Sequence, residues 1–307
     1  MTYAVLFPGQ GSQFVGMAAD VRAEMPDLIA EASEVLGWDL DRLIADGPES
    51  DLTATDRAQP ALYVTSFGLW REFADAVHDG PVAAAGHSLG EYTALAAAQA
   101  MSFRDGLALV AARGAAMAEA SASTDSSMAA VIGADEDAVS DIAAQHRADG
   151  GALHVANINA PGQIVVSGGS EDIAWLVDNA RSLGLRRAIP LNVAAGFHSP
   201  FMDGARRSLT AVLDDMSFAT PRFSVFANAT ASITEDPATS LADQLTAPVR
   251  FSETLLTMAA AGVDTFVHVG PGEVTAGLAR RTVPGARVMV VSTLLDARTV
   301  AEELSIQ

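Results

Sequence analysis

The chain has 307 residues, 50% of them hydrophobic, and a formal net charge of −20, which is enough apolar material for one large domain or two moderate ones. It contains no cysteine and no lysine; this excludes disulfides, thiolate nucleophiles, Cys-ligated zinc and iron–sulfur clusters, and equally a Walker A lysine, a Schiff base or a Ser–Lys dyad. The negative field repels a nucleic-acid backbone, no apolar run reaches the roughly 18 residues of a membrane helix, and the N-terminus lacks signal-peptide features, so the reading is a cytoplasmic protein that binds neither nucleic acid nor membrane.

Residues 3–7 (YAVLF) read as a short buried strand, followed by the turn-rich PGQGSQ and by helical periodicity through the fifties. AQPALYVTSFGLWREFADA predicts a long helix with Pro60 in its first turn. VAAAG predicts a strand of small residues, SLGEYTALAAAQAM an alanine-rich helix directly behind it, and FRDGLALVAARGAAMAEA a further helix capped by Ser102. Alternation of strand and helix favours a parallel sheet covered on both faces. Beyond a serine-rich stretch at 121–127, the order strand, helix, strand, strand, helix, strand is that of a ferredoxin-like unit ending near 193. Helix and strand then alternate again, with FSVFANAT, TFVHVG and RVMVVS read as strands and QLTAPVRFSETLLTMAAAG as helix. The expected architecture is α/β: a discontinuous large domain (1–123 and 194–307) carrying a parallel sheet, with a small domain (124–193) inserted.

Gly86-His87-Ser88-Leu89-Gly90 matches the G-x-S-x-G nucleophile elbow and lies between a strand and a helix, where that motif exposes a serine oxygen at a helix N-terminus. A serine needs a base. Of six histidines, His78 and His146 read as helix-surface residues and His154 and His268 as structural residues inside strands; His87, adjacent to the serine on a sharp turn, points elsewhere. His198 follows a strand and precedes a helix, on the loop where the chain re-enters the large domain. The FPGQGSQ loop lacks the P-loop pattern. A plain tight turn stays open for it, as does an oxyanion hole made of the backbone N–H groups of Gln10 and Leu89.

Taken together, FPGQGSQ, GHSLGEYTAL, RGAAM at 113, NINAPGQIVVSG from 157, FHSPFM at 197 and QLTAPVRF at 244 resemble, in order and spacing, the malonyl-CoA:acyl-carrier-protein transacylases of bacterial type II fatty acid synthesis. The resemblance spans essentially the whole chain and implies an α/β-hydrolase-like core with the ferredoxin-like insertion. It implies Ser88 as nucleophile, His198 as general base and acid, and Gln10 and Leu89 as oxyanion-hole donors. Arg113 then pairs with the free carboxylate of malonyl, a role that suits the two parallel donors of a guanidinium. Asn157 and Asn159 shape the site near the domain junction. Phe197 narrows the pocket toward malonyl rather than methylmalonyl. The histidine is oriented by a main-chain carbonyl, matched here to Pro248-Val249-Arg250, with Arg250 as the orienting residue.

The implied reaction is ping-pong transfer of malonyl from malonyl-CoA to the phosphopantetheine thiol of acyl carrier protein, with no metal and no cofactor. An acidic carrier needs local arginines on so acidic an enzyme, and the pairs Arg186-Arg187, Arg206-Arg207 and Arg280-Arg281 are the candidates. A free-standing polyketide acyltransferase shares this chemistry. A serine esterase shares the elbow, but places an acidic triad member between serine and histidine in chain order. A non-catalytic acyl-CoA binding protein would have no use for the combined serine, histidine and arginine.

Overall fold

The computed structural model of the chain describes residues 2–305; Met1 and residues 306–307, counted in the expected large domain, lie outside the described residues. Nine strands form two sheets among them. Strands β1 (Tyr3–Phe7), β2 (Ala83–Gly86), β7 (Ser224–Val225), β8 (Thr265–Val269) and β9 (Arg287–Val291) build a parallel sheet in the order β7-β2-β1-β8-β9. Strands β3 (Ser126–Ile132), β4 (Leu153–Ala160), β5 (Gln163–Gly169) and β6 (Arg187–Pro190) build an antiparallel sheet in the order β4-β5-β3-β6.

The parallel sheet is buried because its central strand is apolar on both sides. Tyr3, Val5 and Phe7 of β1 enter one core, with the helices Thr55–Ala76 and Phe103–Ala122; Ala4 and Leu6 enter a second, with Phe251, Leu255 and Phe266. Successive residues of a strand face opposite ways, so a run with no polar member needs cover on both faces. The antiparallel sheet is lopsided. Ala129, Val131, Ile164 and Val166 pack under the helices Glu136–Ala148 and Ser170–Asn179, whereas Met128 and Val165 face the other way and join the large core. That second face closes over the ends of β1 and β2, and the two sheets together enclose the site.

Three segments depart from the sequence expectation. The long helix starts at Thr55, which puts Pro60 inside it rather than in the first turn. FSVFANAT forms only the two-residue β7 before the chain turns away. The region read as one helix from Gln244 onward is helical only over Phe251–Ala260; Gln244 instead ends the helix Pro237–Gln244, and between the two the residue before Pro248 is sterically driven out of the helical region. No helix among the described residues is long and apolar enough to cross a membrane.

Candidate active site

Strands β1 and β2 are neighbours in register, Phe7 opposite Gly86, so the two loops that leave their C-terminal ends emerge side by side. One carries Gln10 and the other Ser88. Parallel strands of an open α/β sheet present such loops at their carboxyl edge, where ligands bind. The turn at Ser88 is tight: a Cβ on Gly86 would lie 1.8 Å from the Gly90 carbonyl carbon, and one on Gly90 would lie 2.2 Å from the Phe7 oxygen. Only glycine fits at either position. Ser88 itself has left-handed backbone, φ 52°, which is costly for a residue with a Cβ and is kept where surrounding contacts enforce it. Here the enforcing group is Asn228, whose Oδ1 accepts from the Ser88 N–H at 2.7 Å and whose Nδ2 donates to the Gly86 carbonyl at 2.7 Å.

The Ser88 hydroxyl meets two partners. His198 Nε2 lies 2.8 Å from Oγ, and Arg113 Nη2 donates to the same oxygen at 2.9 Å. The other histidine nitrogen, Nδ1, lies 2.8 Å from the Gln244 backbone carbonyl. A carbonyl can only accept, so the proton of neutral His198 resides on Nδ1, and Nε2 presents its lone pair to the serine hydroxyl. Burial, then the nearby positive charge of Arg113, push the histidine pKa down to about 3, against the opposing effect of the Gln244 carbonyl.

Arg113 is 1% exposed. Its Nη1 donates to Gln59 Oε1 at 2.6 Å, its Nη2 also to Gln244 Oε1 at 3.0 Å, and its guanidinium carbon lies 5.2 Å from the centre of the Tyr92 ring. Among the described residues it makes no ion pair with any carboxylate, and its Nε has no partner. The nearby Glu91 charge favours the cation without contacting it, and a buried cation with no carboxylate in direct contact is poorly compensated by neutral acceptors. Burial accordingly lowers its pKa.

These groups open on a cavity of about 250 Å³, lined in part by Gln10, Ser88, Arg113, Asn157, Asn159, Phe197 and His198. Seven of the nine residues singled out in the sequence therefore meet in one space. Among the described residues, the backbone N–H groups of Gln10 and Leu89 donate to no protein acceptor, while that of Ser88 is committed to Asn228. Gln10 Nε2 ties its loop to Thr55 Oγ1 at 3.3 Å.

The profile of the acyl transferase domain family matches residues 4–298. The chain is 39% identical over 310 residues to the malonyl CoA-acyl carrier protein transacylase of Bacillus subtilis (strain 168), covering 99% of this chain and 96% of that protein. It is 38% identical over 287 residues to the protein of the same description from Escherichia coli (strain K12), covering 92% and 93%. The chain belongs to the malonyl CoA-acyl carrier protein transacylases of the acyl transferase family. Among solved structures, the transacylase of Coxiella burnetii superposes with a TM-score of 0.94 at 31% identity, covering 99% and 98% of the two chains. A malonyl-transacylase solved with its type II PKS acyl-carrier protein, PlMCAT:AntF, superposes with a TM-score of 0.93 at 36% identity, covering 99% and 100%.

One expected residue of this transacylase is corrected. The carbonyl that meets His198 Nδ1 belongs to Gln244, not to Arg250, whose own carbonyl is taken by the N–H and hydroxyl of Thr254 at the start of the next helix. The Arg250 side chain forms ion pairs with Glu253 and Glu136 away from the cavity. Asn159 reaches the elbow indirectly, its Oδ1 lying 2.7 Å from His87 Nε2, so His87 braces the turn against β4 and does not face the serine oxygen.

Sequence reading missed a buried polar layer beneath the elbow. Gln244 Nε2 donates to the Ser88 carbonyl at 2.9 Å and to Glu91 Oε2 at 2.7 Å, and the Asn228 N–H donates to that same carboxyl oxygen at 2.9 Å. Glu91 is fully buried, its Oε1 has no partner among the described residues, and burial pushes its pKa up to about 7. The available signals were a glutamate inside the GHSLGE motif and the glutamine that opens QLTAPVRF.

Proposed function

We propose that this protein transfers malonyl from malonyl-CoA to the phosphopantetheine thiol of acyl carrier protein, through a malonyl ester on Ser88. The observation that carries this reading is Arg113, a buried guanidinium that has no carboxylate partner among the described residues and touches the Ser88 hydroxyl oxygen. An acyl group ending in a carboxylate supplies the missing counter-charge, whereas acetyl leaves the guanidinium unpaired. The relatives share this activity in their descriptions.

In the first half-reaction Ser88 Oγ attacks the thioester carbonyl as His198 Nε2 takes its proton. The N–H groups of Gln10 and Leu89 receive the oxyanion. Collapse breaks the carbon–sulfur bond, and coenzyme A leaves with the proton held by His198. In the second half-reaction the carrier thiol gives its proton to His198 and attacks the ester, and Ser88 departs reprotonated. The electrophile is already an activated thioester, so the route calls on no metal or cofactor. Asn157 and Asn159 shape the wall toward β4, and Phe197 limits room beside the malonyl α-carbon. A coenzyme A thioester as donor suits a cytoplasmic enzyme.

The same reading divides the chain into an α/β-hydrolase-like domain of residues 1–123 and 194–307 and a ferredoxin-like domain of residues 124–193. What supports the division is the return of the chain to the parallel sheet after β6 and the 2-3-1-4 order of the antiparallel strands. A carrier of polyketide rather than fatty acid synthesis is a second reading, favoured by the neighbour solved with a type II PKS carrier. An esterase is disfavoured because a carbonyl, not a carboxylate, meets His198 Nδ1.

Intact-protein mass spectrometry after brief mixing with malonyl-CoA tests the proposal. A malonyl adduct on the wild type, absent from Ser88→Ala and transferable to added carrier, is the expected result. Hydrolysis of simple esters without an adduct would replace the transferase reading with the esterase.

A further inference from the structure

The loop that carries His198 is held by the antiparallel sheet, not by the sheet that carries Ser88. Ser126 of β3 and Ser167 of β5 are diagonal neighbours, since Ser126 pairs with Gly169 and Met128 with Ser167, and they lie on the face turned toward the cavity. Ser126 Oγ accepts from the Gly196 N–H at 3.0 Å. Ser167 Oγ donates to the Phe197 carbonyl at 2.5 Å. Ser167 is fully buried and Ser126 nearly so.

The hydrogen bonds have a fixed direction. Thr124 donates to the Ala120 carbonyl, so the Ser126 hydroxyl proton goes to Thr124 and its oxygen is left to accept from Gly196. Gly196 lies against both serines: a Cβ there would sit 3.3 Å from Ser167 Cβ and 3.4 Å from Ser126 Cβ. Within the loop, Ser199 Oγ donates to the Gly196 carbonyl at 2.5 Å.

The Phe197 carbonyl belongs to the peptide that enters His198, and the orientation of that peptide plane defines the His198 φ of 54°. Left-handed backbone is unfavourable for a non-glycine residue, so an unpinned plane would rotate toward negative φ and carry the imidazole off Ser88. The same unit also holds the other side of the ring. The β4 residue Ile158 donates to the Val249 carbonyl at 2.8 Å and Val249 donates to Ala156 at 2.9 Å, anchoring the segment that follows Gln244.

We propose that Ser167 and Ser126 are positioning residues for the catalytic base, fixing the peptides before His198 so that Nε2 stays on the Ser88 hydroxyl. This makes the antiparallel unit part of the catalytic apparatus as well as a wall of the cavity. The inference rests on the reading of His198 as the base.

Rapid-quench mass spectrometry of Ser88 malonylation tests it in wild type, Ser167→Ala, Ser126→Ala, Ser167→Thr and His198→Ala. Misplacing a reacting group by about 1 Å costs on the order of a hundredfold in rate. Ser167→Ala is expected to malonylate about ten- to a hundredfold more slowly at saturating malonyl-CoA. Its half-saturation and its preference for malonyl over acetyl should be unchanged. Ser126→Ala should show a smaller loss of the same kind, and Ser167→Thr, which keeps the hydroxyl, should approach wild type. If Ser167→Ala does not fold, Ser126→Ala and Ser167→Thr decide by the same criteria. Alanine variants as fast as wild type, with His198→Ala inactive, would overturn the positioning role and leave the base intact. A loss confined to half-saturation would overturn it too, by assigning the serines to substrate binding. An active His198→Ala would remove the base itself, and the proposal with it.

Discussion

Ser88 Oγ and His198 Nε2 lie 2.8 Å apart, and both residues hold left-handed backbone, φ 52° and 54°. Each is pinned by side chains distant in sequence, Ser88 by Asn228 and the His198 loop by Ser126 and Ser167. The proposed base is therefore buried and fixed before substrate arrives. A pKa near 3 keeps it neutral and able to accept a proton throughout the mildly acidic range.

The rate of Ser88 malonylation should thus stay flat from pH 8 down to about pH 5, as a single-turnover pH profile will show. A histidine at its ordinary pKa of about 6.5 would have lost roughly thirtyfold by pH 5. An acid limb centred near 6.5 would mean that water reaches the imidazole and that its burial is not maintained in solution.

Arg113→Ala removes a buried charge that contacts the proposed nucleophile, Ser88. Truncating one partner of a buried charge pair costs about 2–5 kcal/mol. For the malonyl carboxylate that is a loss of roughly 30- to 5,000-fold in kcat/KM. Acetyl-CoA makes no such pair, so the malonyl-to-acetyl ratio should fall by about thirtyfold or more in competition assays. Equal losses for both thioesters would confine Arg113 to holding Ser88.

Gln244 and Arg250 separate side-chain from backbone roles. Gln244→Ala leaves Arg113, Glu91 and the Ser88 carbonyl each short of a partner, so a stability loss of about 2–4 kcal/mol is expected in urea denaturation. The backbone carbonyl that meets His198 survives this substitution. Arg250→Ala removes only partly exposed ion pairs with Glu253 and Glu136, worth under about 1 kcal/mol together, and the malonylation rate should be unchanged. A slow Arg250→Ala would show that its ion pairs with Glu253 and Glu136 support the segment that faces the histidine.

The distance between those two residues marks what the sequence made legible. Ser88 and His198 stood out because their chemistry is carried by residue type within local patterns, whereas Arg113 came only with the family resemblance and Gln10 through its place on the glycine-rich loop; all four line one cavity. The parallel sheet followed from strand and helix alternation, but the β1–β2 adjacency within it did not. The orienting carbonyl did not, because every residue has one and only the path around Pro248 decides which faces Nδ1. Glu91 and Asn228 were equally silent, since their roles arise from pairing across 137 positions of chain. The β7 strand was overestimated for a similar reason: its apolar residues serve the core as a turn, with Phe226 bridged back to Ile233.

Glu91 makes stability depend on pH in a definite direction. Its pKa is near 7 in the folded protein and about 4.5 as a free side chain, because burial disfavours the charge. Between those values the unfolded chain releases a proton that the folded protein retains, so this contribution to stability is complete below about pH 4.5 and is lost as pH rises through 7. Glu91→Gln removes the titration. The melting temperature of wild type relative to Glu91→Gln should fall as pH rises from 5 to 8. A constant difference across that range would show that Glu91 is ionised throughout, balanced by Arg113.

The arginine pairs proposed to meet an acidic carrier are not equivalent. Arg206 is neutralised by Asp243 and Arg280 by Glu273. Arg281 instead donates to Gln163 Oε1, and Gln163 lines the cavity. Arg187 pairs in register with Ile132, which pairs with Gln163, so Arg187 lies two strands from Gln163 on the same face of the sheet. Arg187 and Arg281 thus flank one side of the cavity, and among the described residues neither has a carboxylate within ion-pair reach. Charge reversal at Arg187 or Arg281 should raise the KM for the carrier several-fold and steepen no other step, with malonylation by malonyl-CoA nearly unaffected. The same change at Arg206 should do less, since its positive charge is already spent on Asp243. Added salt should weaken wild-type carrier binding and narrow the gap to the variants, because exposed charges are screened over about 10 Å at 0.1 M. Equal sensitivity at Arg187 and Arg206 would mean that the carrier reads net charge and not this edge of the cavity.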